Sequence, residues 1–349
     1  MKKYYNSSGP TNWIWNKGIS ALCDIRIPDE FPDGRNYSKF TNPVHEYHQI
    51  PPDDWDINKI VVDDIKDGNL VWVRTGWVKH FVRQILPKIK RKFVLVTGDS
   101  YLSVPFDILP EAKTLLKSQY ILHWFTQNYD GSVSCERVSP IPIGIDFHTL
   151  CDKPFWGKKI SNPEIQEKEL NNIRDKLLPV NQRIKKVYVD FGRLGAGWRS
   201  IYYKIESLPV LKSLVKMSKP IGEYLNEDRG KLVHNLKKNK LIVFQSKMIK
   251  RCDMWRKRGN YSFVISPHGT GLDCHRTWEA LALGHIVLVK HSSLDSLYKE
   301  LPVVILNDWD EITSENLTKW LMLNMKKKMN YKKLTNEYWI NKIKSINFG

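Results

Sequence analysis

The chain is short of several things. No run of eighteen apolar residues occurs, so no membrane-crossing helix is expected. The opening MKKYYNSSGPTNW has no apolar core of the kind a secretory signal carries. Cysteine is sparse: Cys23, Cys135, Cys151, Cys252 and Cys274 are scattered, odd in number and without a CxxC pair. That pattern argues against a disulfide scaffold or a thiolate zinc site and predicts reduced thiols in a cytosol-like compartment. The sequons at Asn6, Asn36, Asn260 and Asn316 are then expected to stay unmodified. No GxGxxG fingerprint, internal repeat or low-complexity tract is present. Acidic residues are also in deficit, 37 against 55 basic ones.

At 349 residues, 42% hydrophobic and 11% aromatic, the chain can build two domains with proper cores. The charge excess is lopsided. Residues 1–149 carry 18 Lys+Arg against 17 Asp+Glu, so the remainder holds nearly all of the net +18. A basic half attracts an anionic nucleotide, a membrane surface or nucleic acid. Clusters such as Lys326-Lys327-Lys328 read first as a solvated surface.

The most informative stretch is Phe263 to Lys290, FVISPHGTGLDCHRTWEALALGHIVLVK. An apolar run at Phe263-Val264-Ile265 predicts a buried strand. The Ser-Pro-His-Gly-Thr-Gly loop follows, its glycines suited to positive φ or close backbone approach. Apolar spacing then turns helical, Gly284 is placed to stop the helix, and Ile286 to Val289 resume as a strand. Strand, glycine loop, helix, strand is half of a doubly wound nucleotide-binding sheet, with ligands at the strands' carboxyl ends. Asp273 suits the helix N-cap. Arg276 falls in the first turn, where the helix dipole disfavours a cation. A bound diphosphate would explain it, as would pairing with Asp273 or Glu279. Glu279 is suited to hold ribose hydroxyls, or to pair within its helix.

Along the rest of the chain, residues 1–60 read as irregular and aromatic-rich. Strands are predicted at Val71–Val73, Phe93–Val96, Tyr120–Leu122 and Ile141–Gly144. The domain prediction is an α/β acceptor-binding domain at 1–150, a linker and helix at 151–184, a nucleotide-sugar-binding Rossmann-like domain at 185–330, and a C-terminal helix at 331–349 packing back on the first domain. Strands at Lys186–Val189, Leu241–Phe244, Phe263–Ile265, Ile286–Val289 and Val303–Leu306 build the second sheet. Its first strand ends in Gly192–Gly197, where Arg193 and Arg199 are placed to reach the same diphosphate. Trp77 and His123-Trp124-Phe125 are candidates for packing against sugar rings, although most of the 13 tryptophans should be core. Two D-x-D pairs, Asp54/Asp56 and Asp308/Asp310, have the spacing to hold Mg²⁺ or Mn²⁺. The second precedes a helix and reads as capping, and neither is counted as a metal site.

The segment SPHGTGLDCHRTWEALALGHIVLVKHSSLDSLYKEL resembles the C-terminal signature of exostosin-type glycosyltransferases, with Arg-x-x-Glu-Ala-Leu at Arg276–Leu281. WFTQN (Trp124–Asn128) and PIPIGIDFH (Pro140–His148) look like segments of soluble exostosin-like proteins of bacteria and large DNA viruses. The resemblance implies a GT-B-like fold, two Rossmann-like doubly wound domains facing across a cleft. It implies transfer of a sugar from a nucleoside diphosphate sugar to an oligosaccharide or glycoprotein glycan, with inversion and without an obligatory metal or other cofactor. The implied location is the cytoplasm (of the host, for a viral chain), with at most peripheral membrane contact and no nucleic-acid partner. Donor residues would be Arg199, Ser266, His268, Gly269, Gly271, Asp273, Arg276 and Glu279. His285 and Val287-Leu288 depart from the family's usual residues. An inverting mechanism needs a general base from the first domain; Asp99, at a strand's carboxyl end, is the nominee, ahead of Asp146 and His123. Other readings are a non-catalytic glycan-binding subunit, a basic nucleic-acid-binding protein, and a metal-dependent transferase using a D-x-D pair.

Overall fold

The computed structural model describes residues 12–28, 62–152, 154–191, 229–245, 249–269 and 271–346. The Gly192–Gly197 loop with Arg193 and Arg199, the Asp54/Asp56 pair and Trp55 lie outside the described residues.

Two five-stranded, all-parallel sheets form the frame. The first holds β1 (Ile25–Ile27), β2 (Leu70–Arg74), β3 (Phe93–Gly98), β4 (Ile121–Thr126) and β5 (Val138–Pro140), side by side in chain order. The second is ordered β10-β9-β8-β6-β7, from β6 (Ile184–Val189), β7 (Ile242–Phe244), β8 (Tyr261–Ile265), β9 (Ile286–Lys290) and β10 (Val303–Leu306). The principal helices are α1 (Asn16–Leu22), α2 (Leu109–Lys117), α3 (Pro163–Arg174), α4 (Arg229–Leu236), α5 (Arg251–Arg258), α6 (His275–Ala282), α7 (Ser314–Lys326) and α8 (Asn336–Lys344). No helix among the described residues is long and apolar enough to cross a membrane.

Strand order decides what must cover each face. Right-handed crossovers between strands laid down in chain order all fall on one side. Val78, Phe81 and Ile85 between β2 and β3, and Ala112 and Leu115 of α2, accordingly pack on Val71, Val73, Phe93 and Leu95. Leu70, Trp72, Val94, Val96 and Phe125 point to the opposite face. There Ile19 of α1 and Trp339, Ile340 and Ile343 of α8 bury them, bringing the chain's last helix onto its first sheet. Backbone bonds fasten this cover, from Ile14 N–H to Leu334 O (2.8 Å) and Asn336 N–H to Asn12 O (3.1 Å). The same apolar cluster continues through Trp278 and Leu281 of α6 to Val264, Val287 and Val289, so one core runs beneath both sheets. The second sheet's other face packs on α4 and on Leu317 of α7.

Two strand expectations change. β1 lies in a stretch read as irregular, because three residues are too few to show a period. Ile141 to Gly144 is not a strand; β5 comes earlier, at Val138–Pro140, and the Ile141-Pro142 segment leads out of the sheet. Gly284 ends α6 as expected, with φ +75°.

Beside α8, the Asn12 N–H donates to both carboxylate oxygens of Glu167 (2.8 and 2.9 Å) on α3. Burial raises the Glu167 carboxyl to about 7. A carboxyl with a raised folded-state pKa favours folding below its unfolded value. Stability is then lost as pH rises from about 4.5 toward 7. Glu167→Gln should flatten that slope, gaining roughly 1–3 kcal/mol relative to wild type between pH 5 and pH 8 in denaturant unfolding. Parallel stability–pH curves for the two proteins would rule the account out.

Candidate functional site: a cleft between the two sheets

In the second sheet β7 lies on one side of β6 and β8 on the other, so the chain reverses direction at β6. Such a reversal opens a crevice outside the strands' carboxyl ends. Asp190, just past β6, and the glycine loop, just past β8, border it. The carboxyl ends of β3, β4 and β5 face it from the first domain. Together they line a cavity of about 460 Å³, reached by Asp99, Tyr101, Asn128, Asp146, His148 and Trp156 from one side and Asp190, Arg258, Gly269, Gly271, Asp273, His275, Arg276 and Glu279 from the other.

Asp190 organises the arginines of one wall. Its Oδ1 accepts from Arg276 Nε (2.7 Å) and its Oδ2 from Arg258 Nη1 (2.9 Å). Arg276 therefore meets neither Asp273 nor Glu279 but a carboxylate 86 residues away. Its guanidinium also lies over the Phe191 ring, 5.3 Å from the centroid. Once so clamped, Arg276 Nη1 and Arg258 Nε and Nη2 are buried without a hydrogen-bond partner among the described residues. Both guanidiniums line the cleft, the Arg276 side chain 20% exposed and that of Arg258 fully buried.

Glu279 lines the cleft and is already engaged by α5. Its Oε1 accepts from Arg251 Nη2 (2.5 Å) and its Oε2 from Trp255 Nε1 (3.0 Å), with Arg258 Nη2 at 3.7 Å, an ion-pair distance beyond hydrogen bonding. Each oxygen accepts one such hydrogen bond, and the carboxylate serves as counter-charge to α5. Arg251 and Arg258 were not among the predicted site residues. Their signal was an Arg-rich helix running into the central strand of the basic half, which a surface reading absorbs equally well.

The loop residues divide. Gly269 and Gly271 line the cleft, joined by Gly269 N–H to Gly271 O (3.0 Å). Gly271 is needed for close approach rather than for positive φ. A Cβ there would come 2.8 Å from Asn128 Nδ2 of the first domain. Ser266 and His268 do not line the cleft. Ser266 Oγ bonds Thr277 Oγ1 (2.9 Å), and His268 Nδ1 bonds Leu272 O (2.8 Å). Asp273 is not the N-cap, which is Cys274 without a capping side chain. It joins the domains instead. Its Oδ2 accepts from Ile143 N–H (2.8 Å), its N–H donates to Asn128 Oδ1 (2.9 Å), and Trp278 Nε1 donates to its carboxylate (2.9 Å). Burial raises its carboxyl to about 6.

Asp99 faces the cleft in a setting that opposes a base. Asn16 Nδ2 (2.8 Å), Lys17 Nζ (2.7 Å) and Arg74 Nη2 all donate to its carboxylate. Burial alone would raise its pKa, but the Arg74 and Lys17 charges outweigh burial and hold it far below the usual carboxylate range. So weak a base takes up a hydroxyl proton poorly. Asp146 lines the cleft too. Its Oδ1 accepts from Thr149 N–H (3.0 Å) and its Oδ2 from Thr149 Oγ1 (2.8 Å). Burial would raise it, yet His148, His275 and Arg251 hold it well below the ordinary value. His148 is shifted down, chiefly by burial. His123, bonded to Ser139 Oγ (2.9 Å), does not reach the cleft, and Trp77, Trp124 and Phe125 are buried core. The aromatic faces in the cleft are Tyr101 and Trp156. Asp308 is a cap, accepting from Asp310 N–H (3.0 Å) in a reciprocal box with Glu311.

No family model matches the chain, and no curated protein matches it. Among solved structures it is similar to a trehalose-6-phosphate synthase of E. coli bound with UDP-2-fluoro glucose, at 10% identity and TM-score 0.35, over 89% of this chain and 85% of that one. An alpha,alpha-trehalose-phosphate synthase (UDP-forming) of Burkholderia vietnamiensis is similar at 12% identity and TM-score 0.34, over 89% and 81%. These similarities are remote, and the functional reading rests on the cleft.

Proposed function

We propose that the protein is a glycosyltransferase that binds a nucleoside diphosphate sugar in the cleft and transfers its sugar to a glycan hydroxyl. The observation that carries this is the Asp190 clamp, which fixes Arg276 and Arg258 at the cleft, with the Arg276 side chain 20% exposed and guanidinium N–H groups of both buried without a hydrogen-bond partner among the described residues. A diphosphate in the cleft would accept from Arg276, the more exposed of the two. The same cations would stabilise the charge that develops on it as the sugar departs. Tyr101 and Trp156, one face of which the Arg251 guanidinium covers at 4.6 Å, line the cleft and could pack against sugar rings. The resemblance to exostosin-type enzymes favours inversion. Transfer with inversion also needs a group to take the hydroxyl proton. Asp99 does not suit that role, nor does Asp146, which neighbouring charges also hold low; the imidazoles among the described lining residues are His148 and His275.

Arg276→Ala should weaken binding of UDP, or of whichever nucleoside diphosphate binds best in a screen, by about 10- to 100-fold, the worth of one charge-assisted hydrogen bond. The exposed Arg256→Ala, whose partner is Asp253, should bind as wild type does. Calorimetric titration of all three proteins decides. Equal affinities for Arg276→Ala and wild type would end the diphosphate assignment.

A further inference from the structure

We propose that Asp146, His148 and His275 form a binding site for one divalent transition-metal ion in the cleft. One ligand atom from each lies within 4.8 Å of the others, and the three come from two domains: the loop and short helix that follow β5, and the first turn of α6. Spacing along the chain does not bring residue 275 beside residues 146 and 148, and the family resemblance implies no obligatory metal.

Each side chain is oriented as a ligand is. His275 Nδ1 bonds the Gly144 carbonyl (2.7 Å), which places the proton on Nδ1 and leaves the Nε2 lone pair available. Asp146 is steered by two bonds from Thr149, and its oxygens keep lone pairs beyond those. His148 Nδ1 is buried and 3.2 Å from Asp146 Oδ1, yet lacks the alignment of a hydrogen bond. The two imidazole centroids are 5.3 Å apart, with the rings tilted by 51°. A general base needs one imidazole and one orienting partner. Two imidazoles and a carboxylate converging from separate domains are more than that role uses. Ligands about 2.1 Å from an ion sit roughly 3–3.5 Å from one another, so small side-chain rotations close the set. Two nitrogens and one carboxylate suit Mn²⁺, Fe²⁺, Co²⁺ or Zn²⁺ over Mg²⁺ or Ca²⁺. Three protein ligands leave positions open toward the cavity, where a hydroxyl or phosphate oxygen could complete the shell.

The full chain, treated with chelator and then freed of it, is titrated with Co²⁺, and with Mn²⁺ and Zn²⁺ in parallel. One equivalent of Co²⁺ should bind with visible absorption bands of nitrogen and oxygen ligation. His148→Ala and His275→Gln should each lower affinity by about 10- to 100-fold or more and change those bands. His291→Ala, at an exposed histidine paired with Asp295, should leave both unchanged. Far-ultraviolet circular dichroism melts of the metal-free proteins identify folded variants, and His275→Gln, at a half-buried position, carries the test if His148→Ala does not fold. Absence of stoichiometric binding, or binding indifferent to the folded histidine variants, overturns the site. The proposal stands apart from the donor reading: nucleoside diphosphate binding measured with chelator present reports on Arg276 whether or not a metal binds.

Discussion

Glu279→Ala should destabilise the protein by about 3–5 kcal/mol, the cost of leaving buried charge without its counter-ion. Arg251 and Arg258 are 3% and 0% exposed, and Glu279 is the carboxylate they share. Arg251 would keep Gln166 Oε1 (3.0 Å) and the Asp146 carbonyl (2.6 Å), and Arg258 would keep Asp190. Those contacts hold the guanidiniums in place, so alanine would strip the charge balance without releasing the arginines to water. A loss of this size is a large part of the 5–15 kcal/mol that holds a typical domain. Glu279→Gln should cost less, since an amide oxygen can still accept one donor. Denaturant unfolding of both variants checks the ordering. An alanine variant within about 1 kcal/mol of wild type would mean that water reaches α5 and that the buried ion-pair account fails.

Asp99→Ala should cost a similar 3–5 kcal/mol at neutral pH, for the same reason on the other wall. Lys17 is 0% exposed and Arg74 is 6% exposed, and both donate to the Asp99 carboxylate. The sign of the pH dependence follows from the depressed carboxyl. A group whose folded-state pKa lies below its unfolded value contributes fully above the unfolded value, near 4, and loses that contribution as pH falls toward the folded one. The gap between wild type and variant should therefore stay level from pH 5 to pH 8. Below about pH 4 it should narrow by roughly 1.4 kcal/mol per pH unit. Denaturant unfolding at pH 7 and pH 3 measures both ends. A gap that widens in acid would contradict the ion-pair account.

Both predictions concern residues that the sequence nominated for chemistry, and the structure shows each balancing buried cations. The nominated residues fall together for a physical reason. Carboxyl ends of parallel strands converge on a crevice whatever side chains they carry, so Asp99, Asp146, Gly269, Gly271, Asp273, Arg276 and Glu279 all line the cleft. Roles did not follow from position. Ser266 and His268 belong to the same glycine loop, but their side chains turn to Thr277 and to the Leu272 carbonyl.

By itself the sequence determined the two parallel sheets, the glycine loop before α6 and the concentration of positive charge in the second half. Each is written in local pattern: β-branched runs, a 3.6-residue period, glycine at a helix end. Only the tertiary structure decided the partners. Arg276 meets Asp190, Glu279 meets Arg251 and Arg258, Asp99 meets Lys17 and Arg74, and His275 comes to face Asp146 and His148. Charged side chains search for counter-ions in space, and strand order sets which distant segments adjoin. Spacing along the chain carries no record of that choice.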